Sequence, residues 1–458
     1  MNDSARTFTL VAIITSLLLF MHLLPTLSVS GTELRPVNIL SEVIKPQETE
    51  VTDIIPKPIP PKRLAQAGGN KPSDSQPSKP KVKKPHPGVT EIDDYGASAP
   101  EMNHFYAALK NRKHLNRPVR IAYYGDSFIE GDILTCDLRQ MLQQKFGGVG
   151  PGWVDCGSPF IRNRRTISQQ FSGMTEHEVV KKPYNHALEG ISQRYTNVSE
   201  GAQVTNKGTK YKPLTATWTS AKVYFKTPGG FNLQTSVNGA GPETTAIAGS
   251  GEVQMHETLG QMNSIKHQFR SVSSGTLAYG IALEGRQGVT LDNFSMRGSA
   301  GFTLASIPLH TLKEFARLRP YDLIILHFGL NVVNSRNTAA IYKTYVNRMK
   351  KVVQIMKQAY PHASILVVSV PDRDERTASG ITTMRGVEQL GAYQKLMASE
   401  TGVAFFDLFK AMGGKGSMKK LVDRNMANKD YTHLSYGGGK IVATSFYKSL
   451  MAGYEDFY

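Results

Sequence analysis

The chain has 458 residues, enough for two globular units with extensions. Its 54 Lys and Arg exceed its 37 Asp and Glu, which gives a net charge of +17, and residues 1–100 contribute almost none of this excess. A basic folded part favours anionic surroundings. Because neither an RNA-binding signature nor the Cys/His spacing of a zinc site is visible, the sequence argues against a nucleic-acid partner, a metal and any other cofactor.

An apolar run occupies residues 8–24 (FTLVAIITSLLLFMHLL) and follows a short head with one arginine. This pattern is typical of a signal peptide or a membrane anchor, and either one implies export. Small side chains at Ser28 and Ser30 fit cleavage after Ser30, whereas the length of the run favours a retained anchor. We therefore interpret residues 1–30 as a signal peptide or anchor and expect a periplasmic or cell-envelope protein, held at the inner membrane if the segment is not cleaved.

Residues 31–94 are rich in Pro, Lys, Ser and Gln, as in PKPIPPKR and KPSDSQPSKPKVKKPHP. This composition has too few apolar side chains to bury a core, so the sequence predicts a disordered linker. An extended linker of this length reaches up to roughly 200 Å, which suits an enzyme that works at a distance from a membrane.

The first strong strand prediction is 119–124 (VRIAYY). It ends in Gly125-Asp126-Ser127, and a helix is predicted over 134–146, which would place the serine hydroxyl near a helix start. A helix N-terminus favours developing negative charge. For this turn taken alone, helix capping by the aspartate and serine is the alternative.

All-β patterning characterises residues 184–294, where short alternating segments are divided by Gly, Asn and Pro. The predicted strands are 221–227, 231–239, 252–259, 264–272 and 276–285. They indicate a β-sandwich or jelly roll inserted between two parts of a second domain, residues 95–183 and 295–458. Four aromatic side chains of this region fit either stacking on sugars or filling a core: Tyr195, Tyr211, Trp218 and Tyr224.

Helices alternate with buried strands in the C-terminal part of the chain. The predicted order is helix 303–318, strand 322–329, helix 338–359, strand 364–370, helix 384–400, strand 403–409 and a last helix from Tyr436. This alternation predicts an α/β fold with a doubly wound parallel sheet. In such a sheet ligands bind at the carboxyl ends of the strands, so polar residues just beyond each strand form the candidate site.

Polar residues follow the strands at two further places. Asn331 comes after strand 322–329 and can donate a hydrogen bond to an oxyanion, although asparagine is also a common turn former. Asp430 and His433 lie three residues apart just before the last helix. Serine becomes a nucleophile when a base takes its proton, and histidine does this best when a carboxylate fixes its tautomer. The order of these residues favours a triad with Ser127 over separate roles as helix cap and surface residue.

The four segments, in this order, resemble the SGNH/GDSL hydrolase superfamily: GDS after the first strand, a glycine in a second block, G-x-N in a third and D-x-x-H near the C-terminus. The resemblance implies a flavodoxin-like three-layer fold and a catalytic triad of Ser127, Asp430 and His433. It also implies an oxyanion hole formed by the Ser127 backbone, the Gly298 backbone and the Asn331 side chain.

Two details of these blocks limit the comparison. Gly301 lies close to Gly298 and competes with it as the second-block glycine, and the third block has Val332 where many members have aspartate. The nucleophile segment does not read G-x-S-x-G, which excludes the nucleophile elbow of an α/β-hydrolase.

The stretch GDSFIEGD, followed by LRQMLQQKFGGVGPGW, resembles the envelope branch of this superfamily that removes O-acetyl groups from peptidoglycan. Members of that branch often carry a β-sandwich similar to a carbohydrate-binding module between the first two blocks. The resemblance implies an exported serine acetylesterase whose partner is acetylated cell-wall glycan and which needs no cofactor. The alternatives are a glycan O-acetyltransferase of the same fold, a lipid or thioester hydrolase, and a glycan-binding envelope protein without activity.

The two cysteines, Cys136 and Cys156, are too few for a disulfide framework or a metal cluster. Pairing of the two in an oxidising compartment and two separate buried thiols both fit the sequence.

Overall fold

The computed structural model describes residues 5, 7–10, 13–16, 28–29, 32–33 and 86–457. The chain divides into two units, Met1–Ile54 and Ile55–Tyr458. In the first unit the described residues up to 16 are helical, and β1 (Ser28–Val29) pairs with β2 (Thr32–Glu33) in antiparallel fashion.

Much of the predicted signal or anchor segment 1–30, and most of the predicted linker 31–94, lie outside the described residues. No helix among the residues that the structure describes is both long and apolar enough to cross a membrane.

The second unit contains two large sheets. Its strands are β3 (Asp93–Asp94), β4 (Val119–Gly125), β5 (Gly152–Asp155), β6 (Ile167–Glu178), β7 (Arg194–Gly208), β8 (Trp218–Thr227), β9 (Phe231–Val237), β10 (Glu243–Ile247), β11 (Ser250–Met262), β12 (Ser264–Arg270), β13 (Leu277–Glu284), β14 (Val289–Ser295), β15 (Leu323–His327), β16 (Ser364–Val368), β17 (Asp374–Thr377), β18 (Gly380–Thr383) and β19 (Ala404–Phe406). Its helices are α1 (Asn103–Lys110), α2 (Thr135–Phe146), α3 (Leu309–Leu318), α4 (Ala339–Ala359), α5 (Val387–Thr401), α6 (Leu408–Met412), α7 (Ser417–Asp423) and α8 (Tyr436–Phe457).

The α/β part of the molecule is built on a six-stranded sheet in the order β14-β4-β15-β16-β19-β3. Its first five strands are parallel, and β3 pairs antiparallel at the edge. Helices α1, α2 and α6 pack on α8, whereas α3 and α5 pack on α4, so the helices form two separate layers. This arrangement confirms the predicted α/β class with a parallel sheet between helices.

The strand-rich part is a nine-stranded antiparallel sheet, in the order β10-β9-β12-β7-β13-β8-β11, with β5 on β13 and β6 on β7. A second hydrophobic core, separate from that of the α/β part, lies inside it and includes Phe225, Phe231 and Phe269. The antiparallel sheet does not coincide with the predicted module, residues 184–294. The antiparallel sheet includes β5 and β6, which precede residue 184, whereas β14 pairs in parallel with β4.

Two local differences from the predicted elements have clear physical causes. Residues 289–294 lie within the predicted all-β module but form β14 of the parallel sheet, where the buried Asp292 is paired with Arg319. The helix predicted from residue 303 begins at Leu309, since Pro308 holds an extended conformation and disfavours helix in the residue before it.

The aromatic side chains of the antiparallel region mostly fill its interior. Of the four aromatic residues considered for sugar stacking, three are buried: Tyr195, Trp218 and Tyr224. The fourth, Tyr211, is half-buried and reaches the surface. Cys136 and Cys156 are both buried and free, so they do not form a disulfide.

A buried charge network joins the two sheets. Glu284 of β13 accepts hydrogen bonds from Arg120 of β4 at 2.7 Å, from Arg319 at 2.9 Å and from Lys222 of β8 at 2.9 Å. Arg319 in turn binds Asp292 of β14 at 2.7 Å. Because isolated buried charges are strongly disfavoured, this network ties the antiparallel region to the parallel sheet in one arrangement.

Candidate active site

Three neighbouring strands of the parallel sheet end side by side. Gly125, the last residue of β4, is paired with the last residues of β14 and β15. Ser127, Gly298 and Asn331 follow these three strand ends within a few residues. The topology therefore brings the predicted nucleophile and both predicted oxyanion-hole residues to one edge of the sheet, as expected for a parallel sheet.

Ser127 lies half-buried in the turn after β4. A short 3₁₀ turn, Glu130–Asp132, follows it, and α2 begins only at Thr135. Gly131 and Asp132 have φ angles of 67° and 68°, which break the chain between the serine and the helix. The predicted helix 134–146 is thus observed as α2, Thr135–Phe146, with the 3₁₀ turn between it and the serine.

His433 connects the serine to a carboxylate. Its Nε2 lies 2.8 Å from the Ser127 Oγ, and its Nδ1 lies 2.7 Å from Asp430 Oδ2. With the Nδ1 proton held by the carboxylate, Nε2 is the basic nitrogen that faces the serine hydroxyl. The three side chains predicted as a triad are thus within hydrogen-bond distance of one another in the required order.

Asp430 is fixed by the loop in which it lies. Its Oδ1 accepts hydrogen bonds from the backbone N–H groups of Thr432 at 2.9 Å and of His433 at 3.0 Å, and Tyr431 takes a φ of 54° to make this turn. Partial burial alone would raise the pKa of Asp430, but the hydrogen bonds from His433 and Thr432 outweigh it and hold the pKa below its ordinary value. The carboxylate is therefore ionised and oriented toward the imidazole.

Asn331 is hydrogen-bonded to the residue that follows Gly298. Asn331 Nδ2 donates to the Ser299 backbone oxygen at 2.9 Å, which fixes the exposed amide beside the turn that contains Gly298. An amide has two N–H groups, so the second remains for an oxyanion. Gly298 has a φ of 77° and space for a side chain, whereas at Gly301 a β-carbon would lie 2.5 Å from the Phe328 ring. Gly298 is thus exposed at the site, while Gly301 is packed against the core.

Asp126 is a buried carboxylate directly before the nucleophile. It accepts a hydrogen bond from the Phe128 backbone N–H at 3.0 Å, and the backbone N–H groups of Gly329 and Leu330 approach it, but its Oδ2 has no well-aligned hydrogen bond. Burial raises its pKa to about 6 despite these N–H groups. Asp126 therefore joins the nucleophile turn to the loop that carries Asn331.

The raised pKa of Asp126 predicts a pH-dependent stability difference for Asp126→Asn. Because the folded protein holds this proton more tightly than the unfolded chain, with a pKa raised from 3.8 to about 6, wild type loses stability as the pH rises through this range. Asp126→Asn lacks that loss, so we expect the free energy of unfolding of the variant to rise by about 2 kcal/mol relative to wild type between pH 4 and pH 7. Urea unfolding of both proteins at the two pH values measures the change, and an equal difference at both would contradict it.

An open, mainly apolar groove of about 430 Å³ adjoins the site. Asn331 lies in its wall, together with Phe302, Val332, Ile341, Tyr345 and Arg348. Three of these residues come from one face of α4, which runs past the site. The groove therefore starts at an oxyanion-hole residue and extends along α4.

Tyr436 was not singled out by the sequence patterns. Its hydroxyl oxygen lies 2.6 Å from the Gly131 backbone oxygen and 2.8 Å from that of Asn163, so the single hydroxyl proton is shared between these two acceptors. These contacts tie the segment after His433 to the turn after Ser127. The signal in the sequence is slight, because a tyrosine at the start of a helix most often only packs.

Residues 264–439 match the GDSL-like lipase/acylhydrolase family model. The match includes Gly298, Asn331, Asp430 and His433, but it begins well after Ser127 in the sequence. Ser127 is brought next to His433 by the fold. No curated protein sequence is significantly similar to the chain.

A solved structure described as a peptidoglycan O-acetylesterase in action is similar to 80% of this chain and 99% of its own, with a TM-score of 0.64 and 21% identity. At this identity the similarity shows the shared fold. A family two carbohydrate esterase from Clostridium thermocellum, solved with cellohexaose, aligns over 54% of this chain and 91% of its own, with a TM-score of 0.26 and 12% identity, too low to indicate a common overall fold.

Ser127, His433 and Asp430 form a hydrogen-bonded relay, and Gly298 and Asn331 follow neighbouring strand ends of the same sheet. Residues 264–439 are thus similar to the GDSL-like lipase/acylhydrolases, and the chain shares the fold of the solved O-acetylesterase, which together indicate a carboxylic ester hydrolase.

Proposed function

We propose that the protein is an exported serine acetylesterase that removes O-acetyl groups from cell-wall glycan, in particular peptidoglycan. The observation that carries the proposal is the relay from Asp430 through His433 to Ser127, with contacts of 2.7 and 2.8 Å. Such a relay converts a weak serine nucleophile into one that attacks an ester carbonyl.

The reaction follows from the positions of these groups. His433 Nε2 takes the Ser127 proton as the oxygen attacks the acetyl carbonyl, and Asp430 stabilises the imidazolium that forms. Backbone and amide N–H groups at Ser127, Gly298 and Asn331 stabilise the oxyanion. His433 then protonates the departing sugar oxygen, and a water molecule, deprotonated by the same nitrogen, releases acetate from the acyl-serine.

Three features support a cell-wall glycan as the substrate. The solved structure that shares this fold over most of its length is described as a peptidoglycan O-acetylesterase. The sequence carries an apolar run at 8–24 followed by a Pro- and Lys-rich stretch, the composition of an exported chain with a spacer. The excess of basic residues favours an anionic polymer such as peptidoglycan.

The antiparallel region has a place in this proposal as the part that presents glycan to the site. Its half-buried Tyr211 lies 5.4 Å, between ring centroids, from Tyr436, which follows His433 by three residues. Arg165 contacts both rings, at 4.2 Å from Tyr436 and 5.5 Å from Tyr211. Aromatic and cationic side chains at the margin of the site suit the faces and hydroxyls of a sugar.

The test is acetate release from O-acetylated peptidoglycan by the full chain, with Ser127→Ala as the matched variant. We expect steady release by wild type and a loss of at least about 10³-fold in the variant, because the nucleophile is removed. Transfer of the acetyl group to hydroxyls of an added glycan acceptor, without release of free acetate, would identify an acetyltransferase. If the protein hydrolysed para-nitrophenyl acetate but released no acetate from peptidoglycan, it would be an esterase, and peptidoglycan would be the wrong substrate.

A further inference from the structure

The apolar groove shares Asn331 with the candidate oxyanion hole. Asn331 both lines the groove and forms part of the candidate oxyanion hole, so a substrate whose ester is at Ser127 has the groove within immediate reach. The wall on the far side is the face of α4 that carries Ile341, Tyr345 and Arg348. The groove is therefore placed to take a neighbouring part of the substrate molecule.

The groove is much larger than the acetyl group of the proposed reaction. Its volume of about 430 Å³ lies in the range of roughly 300–1,000 Å³ found for sites that hold whole small molecules. An acetyl group has a single methyl beyond its carbonyl. The mainly apolar lining is also a poor match for a bare, hydroxyl-rich sugar ring, since the hydroxyls would lose hydrogen bonds to water there.

The charge beside the groove is positive. Residues 330–359, which form the loop after β15 and α4, contain six Lys and Arg and no Asp or Glu. Arg348 lies at the groove with its guanidinium 3.1 Å from the centroid of the Phe302 ring, and it forms no ion pair with any carboxylate that the structure describes. The side chain is exposed, so its charge is available to a bound anion.

We propose that this groove binds the short acidic peptide attached to the glycan strand, with apolar side chains on Ile341 and Tyr345 and a peptide carboxylate on Arg348. This inference rests on the proposed function, because it names the part of peptidoglycan that the same site recognises. It makes peptide-bearing glycan a better substrate than glycan from which the peptides have been removed.

The experiment compares acetate release from O-acetylated peptidoglycan before and after an amidase has removed its peptides. Wild type is expected to have a kcat/KM about tenfold higher on the peptide-bearing glycan. Arg348→Glu places like charges together and Ile341→Trp fills the groove, so both variants should bring this ratio close to one. Lys343→Glu is the matched control, because Lys343 is an exposed cation of the same helix that does not line the groove, and it should keep the wild-type ratio.

Hydrolysis of para-nitrophenyl acetate reports whether the triad is intact in each protein. A wild-type ratio near one, or an Arg348→Glu ratio equal to that of Lys343→Glu, would overturn the peptide inference and leave the acetylesterase standing. Failure of wild type to release acetate from either glycan would instead overturn the proposed function. If Ile341→Trp abolished cleavage of para-nitrophenyl octanoate but left the glycan ratio unchanged, the groove would hold a long acyl chain and not a peptide.

Discussion

Replacing His433 by alanine is expected to lower kcat for para-nitrophenyl acetate by about 10⁴-fold or more. The imidazole is the only base within hydrogen-bond distance of Ser127 Oγ among the described side chains, at 2.8 Å, so its loss leaves the hydroxyl protonated and weakly nucleophilic. The KM should change little, because the histidine acts on the chemical step. Steady-state kinetics on purified full-length protein measures both constants.

His310→Ala is the control for this substitution. His310 is an exposed histidine in the first turn of α3 and contacts no residue of the candidate site. Its variant should keep wild-type kcat and KM. If His433→Ala retained more than about one hundredth of the wild-type kcat, the triad assignment would be wrong, since triad deletions cost far more than this.

Glu284→Gln is expected to lower the free energy of unfolding by about 3–5 kcal/mol. Burial alone would raise the pKa of Glu284, but the cations of Arg120, Arg319 and Lys222 outweigh burial and hold the pKa well below its ordinary value. The amide has nearly the same shape but no charge, so it leaves these buried cations without their shared anion. Urea unfolding followed by circular dichroism at neutral pH measures the loss.

An exposed ion pair in the same molecule provides the comparison. Glu252 pairs with Arg317, and both side chains are more than half exposed, at 59% and 61%. Glu252→Gln should therefore cost less than about 1 kcal/mol, because water screens this pair. Equal losses in the two variants would contradict the view that the buried network holds the two sheets together.

The sequence predicts the α/β part well because its strands are continuous apolar runs. Segments such as 119–124 and 364–370 are buried on both faces, and the structure places strands at Val119–Gly125 and Ser364–Val368. The glycine at 125 also has a structural reason, since a β-carbon there would lie 2.9 Å from the Ile129 side chain and 3.0 Å from the His327 carbonyl. The apolar runs and the turn residues that end them are therefore sufficient to predict the strands of this sheet.

Features that depend on long-range pairing are harder to predict. Residues 289–294 lie within the predicted all-β module, and only the pairing of β14 with β4 and the burial of Asp292 on Arg319 assign them to the parallel sheet. The raised pKa of Asp126 depends on burial by residues far away in the chain. The apolar groove lies between residues 300–302, the loop that carries Asn331 and one face of α4. The helical pattern of α4 does not show that this face stays partly uncovered in the folded protein.

The most direct measurement of the central claim is the site of reaction with diethyl para-nitrophenyl phosphate, which forms a stable ester with an activated serine. We expect one phosphoryl group per chain, located by peptide mass spectrometry on Ser127, with esterase activity lost in proportion to labelling. Ser127→Ala should remain unlabelled, and His433→Ala should label far more slowly because its serine is not deprotonated. Loss of activity with the label on another residue, or equal labelling of the Ser127→Ala variant, would contradict the assignment of Ser127 as the nucleophile.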